Sequence, residues 1–174
     1  MIIKGIKLAV AKLKIAQLVK NRQPEAYSIP VKSIGIILDF NNRQALTQLK
    51  KLKKHFNISD ANFKVVTYIR NGKKPSDFEG EIYSLKNVNI DAEINNEGMN
   101  GFTSESVDLL ITFAEENNTA IHLLTAHCRA GIKVGRYQKN VALFDMIIQA
   151  DNDAELFTEE LAKYLNQLKK SQNE

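Results

Sequence analysis

Two short, uninterrupted apolar runs, Ser33-Ile-Gly-Ile-Ile-Leu-Asp39 and Val107-Asp-Leu-Leu-Ile-Thr-Phe113, constrain this chain more than anything else in it. Runs of this length, rich in β-branched residues, suit strands covered on both faces. The second run is followed by a helical stretch, with Asn118 or Thr119 as its cap, that reaches about Ala130. Another apolar segment, Ile132 to Gly135, comes next. A strand, a crossover helix and a strand in that order form a βαβ unit, and its two strands must be parallel.

The rest of the chain extends this pattern. Ala45, Leu49, Leu52 and Phe56 fall at steps of four, three and four, on one face of a helix that Asn41 or Asn42 would cap. Asn62 to Ile69 reads as the second strand, closed by the turn pair Asn71-Gly72. Between 73 and 106 only Glu81 to Leu85 looks like a strand, amid residues rich in Asn, Gly and acids. Gly131 is expected to end the helix before Ile132 in the αL conformation, and Leu143 to Ile148 is expected as the last strand. Asp151 or Asp153 then caps a C-terminal helix whose Phe157, Leu161, Tyr164, Leu165 and Leu168 face inward. The expected fold is α/β: three layers, with a mainly parallel, Rossmann-like sheet flanked by helices and an N-terminal amphipathic helix.

Charge separates that helix from the body. Residues 1–22 hold Lys4, Lys7, Lys12, Lys14, Lys20 and Arg22 and no acid, whereas the remaining residues hold 18 of the 24 basic and all 20 acidic side chains. In the helix, Ile2, Ile6, Ala9, Leu13 and Ala16 recur at alternating steps of four and three, the spacing of one face. Pro24 and Pro30 mark the break after it. The chain therefore divides into a basic helix at 1–22, a linker at 23–32 and one α/β domain at 33–174. Lysines interrupt the N-terminal apolar run too often for a signal peptide, and no uncharged run approaches the roughly 20 residues that span a bilayer. Cys128 is the only cysteine, which suits a reducing cytoplasm.

Candidate chemistry is sparse. His127 and Cys128 are adjacent, so on a helix they do not face each other. Cys128 is better read as a small buried hydrophobe. His122 and His127 are five apart, whereas helical zinc pairs need four, so no metal and no cofactor is expected. Gly131 and Gly135 follow a helix and enter a strand, the reverse of a dinucleotide fingerprint. What remains is positional, because ligands of open parallel sheets bind beyond the carboxyl ends of the strands. Asp39, Asn41, Asn42 and Arg43 follow the first strand, Glu115 and Asn117 follow the Val107 strand, and Arg136 follows the Ile132 strand. Together they form the candidate ligand set, although Asn and Asp in such places also serve simply as helix caps.

The basic helix supplies the candidate interaction set: Ile2, Ile6 and Leu13 with Lys4, Lys7 and Lys14. Its stripe is expected to pack on the domain or on a second copy, with the lysines solvated. An anionic membrane surface is a second partner for such a helix, and nucleic-acid phosphates a third. Residues 1–26 contain no aromatic side chain, which argues against both, since stacking platforms and interfacial anchors are missing. The expected function is that of a non-enzymatic cytoplasmic interaction protein engaging a protein partner, or itself as a homo-oligomer, through this helix.

Several phrases carry a resemblance that covers nearly the whole chain. They are a basic helix ending near Asn21-Arg22-Gln23, then Ile34 to Asp39, Tyr83-Ser-Leu-Lys86 and Val107 to Ile111. Arg129-Ala-Gly131, Lys133-Val-Gly135 and Glu160 to Leu165 complete the set. In these the chain resembles an uncharacterised family of small bacterial proteins, a domain of unknown function. That resemblance implies a three-layer α/β fold and transfers no catalytic residue. Val107 to Arg136 alone is similar to one Rossmann-like half of heptosyltransferase-type glycosyltransferases. This implies an enzymatic alternative that would use the same strand ends, in a chain too short for a second nucleotide-binding half.

Overall fold

The computed structural model describes residues 2–173, without the side chain of Val141. Six strands form one sheet: β1 (Ile34–Asp39), β2 (Phe63–Tyr68), β3 (Glu81–Tyr83), β4 (Val107–Phe113), β5 (Ala130–Gly135) and β6 (Met146–Ile147). Their order is β3-β2-β1-β4-β5-β6, and every neighbouring pair is parallel. The chain builds outward from β1 in one direction and then, from β4, in the other. The boundary between β1 and β4 is therefore the topological switch point, where adjacent loops diverge and leave a crevice.

Four helices cover the sheet: α1 (Ile2–Lys20), α2 (Ala45–His55), α3 (Thr119–His127) and α4 (Ala154–Gln172). α2 packs beside α4, and α1 beside α3. Strand alternation divides the core between these two layers. Ile34, Ile36 and Leu38 of β1 join Leu109, Ile111 and Phe113 of β4 against Leu49, Leu52, Phe157, Leu161 and Leu165. Ile37 and Leu110 face the other way, toward Ala120, Ile121, Leu124 and Ala11 of α1. The fold class expected from the sequence is the one found.

α1 uses a different face from the one its stripe predicted. Ala11 is fully buried, with Val10 and Ile15 packed beside it, whereas Ile2, Ile6 and Leu13 are 80%, 44% and 74% exposed. Apolar residues occur all round this helix, so periodicity could not select the inner face. Ala11 lies on the side of the wheel opposite the stripe, and its small side chain lets the helix approach α3 closely. The residues after it, 21–32, run along the amino ends of β4 and β5. Arg22 donates twice to the Asp145 carboxylate, at 2.9 Å each, and once to the Ala130 carbonyl. The Asp108 carboxylate accepts from the backbone N–H groups of Ser28 and Lys32.

Four further expectations are corrected. Gly131 does not cap α3 in αL. It lies inside β5, and α3 ends on an extended Cys128. Tyr27 packs so closely over Gly131 that a methyl there would overlap its Cβ and the near edge of its ring. Neither Asn41 nor Asn42 caps α2, because both belong to a 3-10 turn, Phe40–Asn42, that Asp39 caps instead. The last strand contains only Met146 and Ile147, since Leu143 closes a 3-10 segment and Phe144 lies against Gly135. Tyr164 is 48% exposed, and Thr158 is the buried partner of Phe157 on α4. Asn118 and Asp153 do cap α3 and α4, accepting from Ile121 N and Leu156 N.

Residues 84–106 replace the helix that usually returns from β3 to the sheet centre. Val88, Ala92, Met99 and Phe102 are buried against the α1/α3 layer. Side chains hold the backbone there. Asn87 Nδ2 donates to the carbonyls of Asn95 and Glu97, and its Oδ1 accepts from Ser84 N. His127 Nε2 donates to the Ala92 carbonyl at 2.8 Å.

Candidate functional site at the switch point

The carboxyl ends of β1, β2 and β4 open into a cleft of two lobes, about 540 and 530 Å³. Both lobes are lined by Lys4, Asp39, Asn41, Tyr68 and Arg70, so the two meet at a common waist. The larger lobe continues along the β4–α3 loop to Glu115, Glu116, Asn117 and the first turn of α3. The smaller continues past Asn71 to Lys73.

Asp39 organises the waist. It is the last residue of β1 and is 6% exposed. Its Oδ1 accepts from Asn41 N at 2.9 Å, and its Oδ2 accepts from Asn118 Nδ2 at 3.1 Å. Asn118 in turn uses its Oδ1 to cap α3, so one carboxylate ties the loop after β1 to the start of α3. Asn118 leaves Thr119 and Ala120 with backbone N–H groups that lack intrahelical acceptors, as in any first helical turn. Both residues line the cleft. Tyr83 donates its hydroxyl proton to the Ala120 carbonyl and anchors that turn from below.

Tyr68 closes β2 and is 8% exposed, yet its hydroxyl has no hydrogen-bond partner in the protein among the described residues. Burial raises its pKa above the usual phenol value, and the nearby Asp39 charge adds to the effect, so the group stays a neutral donor. Lys4 and Leu8 project from α1 to form the facing wall, and Tyr137 contributes from beyond β5.

The sequence-derived ligand set is thus divided. Asp39, Asn41, Glu115 and Asn117 line one cleft, and Lys139 Nζ donates to Asn117 Oδ1. Asn42 and Arg43 do not line it. The Arg43 guanidinium lies over the Phe40 ring at 4.1 Å and donates to the Phe40 carbonyl. Arg136 is 4% exposed and stacked on Phe113 at 4.0 Å. It donates to the Ala114 and Asp151 carbonyls and to Asn152 Oδ1, bracing the loops outside this cleft. Of the interaction set, Lys4 joins the cleft, Lys7 donates to the Leu85 carbonyl, and Lys14 pairs with Glu93. Tyr68 and Arg70 were missed by sequence reasoning. Applying the carboxyl-end rule to β2 as well as to β1, β4 and β5 would have found both.

The other candidate groups are structural. Burial pushes the Cys128 thiol up to about 12, so it is no thiolate nucleophile near neutral pH. Burial lowers His122 to about 4. Lys133, 2% exposed, donates to the Thr125 and Ala126 carbonyls at the end of α3. No group of three or more His, Cys, Asp or Glu side chains is placed to hold a metal ion among the described residues.

No curated protein and no solved structure matches this chain. Residues 7–168, from the second turn of α1 to the last turns of α4, match a family of unknown function, DUF6913, and the chain belongs to that family.

Proposed function

We propose that this protein binds a small polar molecule in the switch-point cleft. The observation that carries the reading is convergence. α1, the ends of β1 and β2, and the β4–α3 loop each bring a polar or charged side chain to one crevice. That crevice lies where open parallel sheets bind ligands. The cleft is mixed in charge: Lys4 and Arg70 lie at the waist, Lys73 in the smaller lobe, and Glu115 and Glu116 in the larger. A ligand with one anionic end and one rich in hydroxyl or ammonium donors complements that division. The reading is of a binding protein acting in the cytoplasm.

Thermal-shift screening against nucleotides, nucleotide sugars, sugar phosphates and amino acids tests it. A true ligand at 100 times its dissociation constant stabilises by about 2.7 kcal/mol. Glu115→Gln and Asn41→Ala should reduce the shift without lowering the melting temperature of the free protein. A shift unaltered by both variants would place the ligand elsewhere.

A second reading rests on the outer face of α1. Ile2, Ile3, Ile6 and Leu13 are all more than 40% exposed, and together they form an apolar surface larger than scattered residues would. It supports engagement of a protein partner or of a second copy of the chain. Light scattering of the Leu13→Glu variant checks the second of these. No helix among the described residues is long and apolar enough to cross a membrane.

A further inference from the structure

We infer that the waist of the cleft is a seat for a phosphate monoester, so that the ligand is a phosphorylated polyol of the sugar-phosphate or nucleotide kind. This rests on the small-ligand reading above and deepens it. The first support is Tyr68, more than nine-tenths buried yet holding a hydroxyl without a protein acceptor on the wall shared by both lobes. A hydroxyl that opens on the cleft with no protein acceptor is a donor free to meet an acceptor of a ligand. The residue's raised pKa agrees with a donor role.

The second support is what surrounds that hydroxyl. Lys4 and Arg70 line the same waist, and Thr119 and Ala120 of the first turn of α3 line the larger lobe that continues from it. A helix N-terminus with unpaired N–H groups favours an anion through both hydrogen bonds and the helix dipole. Arg suits a phosphate through its fork of donors, and Lys adds a point charge. The Asp39 carboxylate, although close, has an oxygen engaged by Asn41 N and the other by Asn118 Nδ2.

The ester's other half is indicated by the far wall. Glu115 and Glu116 present carboxylate acceptors along the larger lobe, suited to hydroxyl groups and unsuited to a second phosphate. A diphosphate would place its outer charge against Glu115 and Glu116, whereas a monoester of a polyol would not. Because Lys4 belongs to α1, the bound phosphate also fastens that helix to the sheet's carboxyl edge.

Calorimetric titration of the full chain with ribose 5-phosphate, glucose 6-phosphate and AMP, each beside its unphosphorylated parent, tests the inference. At least one ester is expected to bind tenfold or more tightly than its parent, in competition with inorganic phosphate. Tyr68→Phe and Arg70→Gln should each weaken the ester at least fivefold and leave the parent unchanged. Lys4→Gln should weaken it in a salt-dependent way. Esters that bind no better than their parents, or variants that bind the ester as the wild type does, would overturn the phosphate seat. A parent that binds as well as its ester leaves the small-ligand reading intact. Failure of the wider screen in every chemical class removes that reading together with this one.

Discussion

The Asp39 carboxylate accepts a 3.1 Å hydrogen bond from the side-chain amide of Asn118, 79 residues away in sequence, across the switch point of the sheet. This bond joins the loop after β1 to the N-terminus of α3 and so sets the width of the cleft. Asp39→Ala removes it and also the bond to Asn41 N, while Asn118→Ala removes it and the cap on Ile121 N. Each variant should lose about 1–3 kcal/mol of stability. Because they share one interaction, the double variant should lose less than the sum of the two. Urea unfolding of the four proteins measures the coupling, and strict additivity would show that the bond carries no energy.

Gly131 bears a different demand. It sits in β5 with ordinary strand geometry, so its value is space: Tyr27 packs where a side chain would stand. Gly131→Ala should push Tyr27 off the strand and destabilise the protein by about 1–3 kcal/mol, as overpacking does elsewhere. Gly131→Ala combined with Tyr27→Gly, which removes the Tyr27 Cβ as well as the ring, should recover part of that loss. Denaturation midpoints of the single and double variants provide the check.

These two sites show what the sequence disclosed and what it withheld. The strands Ile34 to Asp39 and Val107 to Phe113 were legible because both faces of each are covered, so their residues need no alternation. The caps Asn118 and Asp153 were legible because their chemistry is local. The inner face of α1 was not, since Ile6, Ala9 and Leu13 on one side and Leu8, Ala11 and Ile15 on the other fit a helical period equally well. Gly131 was misread because its reason lies in Tyr27, more than a hundred residues earlier. Residues 84–106 defeated periodicity because their order comes from side-chain bonds of Asn87 to backbone, which leave no repeating pattern. The cleft was half legible: Asp39, Asn41, Glu115 and Asn117 followed from the strand-end rule, whereas Lys4 arrives from a helix whose docking no local signal announced.

Acid should expose the burial of His122. Its pKa falls from 6.5 to about 4 on folding because desolvation disfavours the charged ring. Well above pH 6.5 the residue is neutral in both states and contributes nothing to the pH dependence. Between pH 6.5 and 4 the unfolded chain binds the proton that the folded chain refuses, so stability falls as pH falls through this window. His122→Leu removes the proton uptake. The difference in unfolding free energy between wild type and variant should therefore be constant above about pH 8 and shift in the variant's favour toward pH 4.5. Denaturant titrations at four or five pH values measure it, and parallel curves throughout would contradict the burial argument.

The two faces of α1 should answer mutation in opposite ways. Ala11 is fully buried against the α3 layer, so Ala11→Leu must lift the helix or displace its neighbours, and should cost about 1–3 kcal/mol. Leu13, two residues on and 74% exposed, touches little of its own protein, so Leu13→Ser should change the stability of a lone chain by less than about 0.5 kcal/mol. Lifting α1 also withdraws Lys4 from the cleft, so Ala11→Leu should weaken any ligand held at the waist, whereas Leu13→Ser should not. Unfolding at low protein concentration separates these effects from association. If Leu13→Ser destabilises only at high concentration, the outer stripe is covered by another copy. If it never does, the stripe is open to solvent in the lone protein, and self-association through this face is excluded.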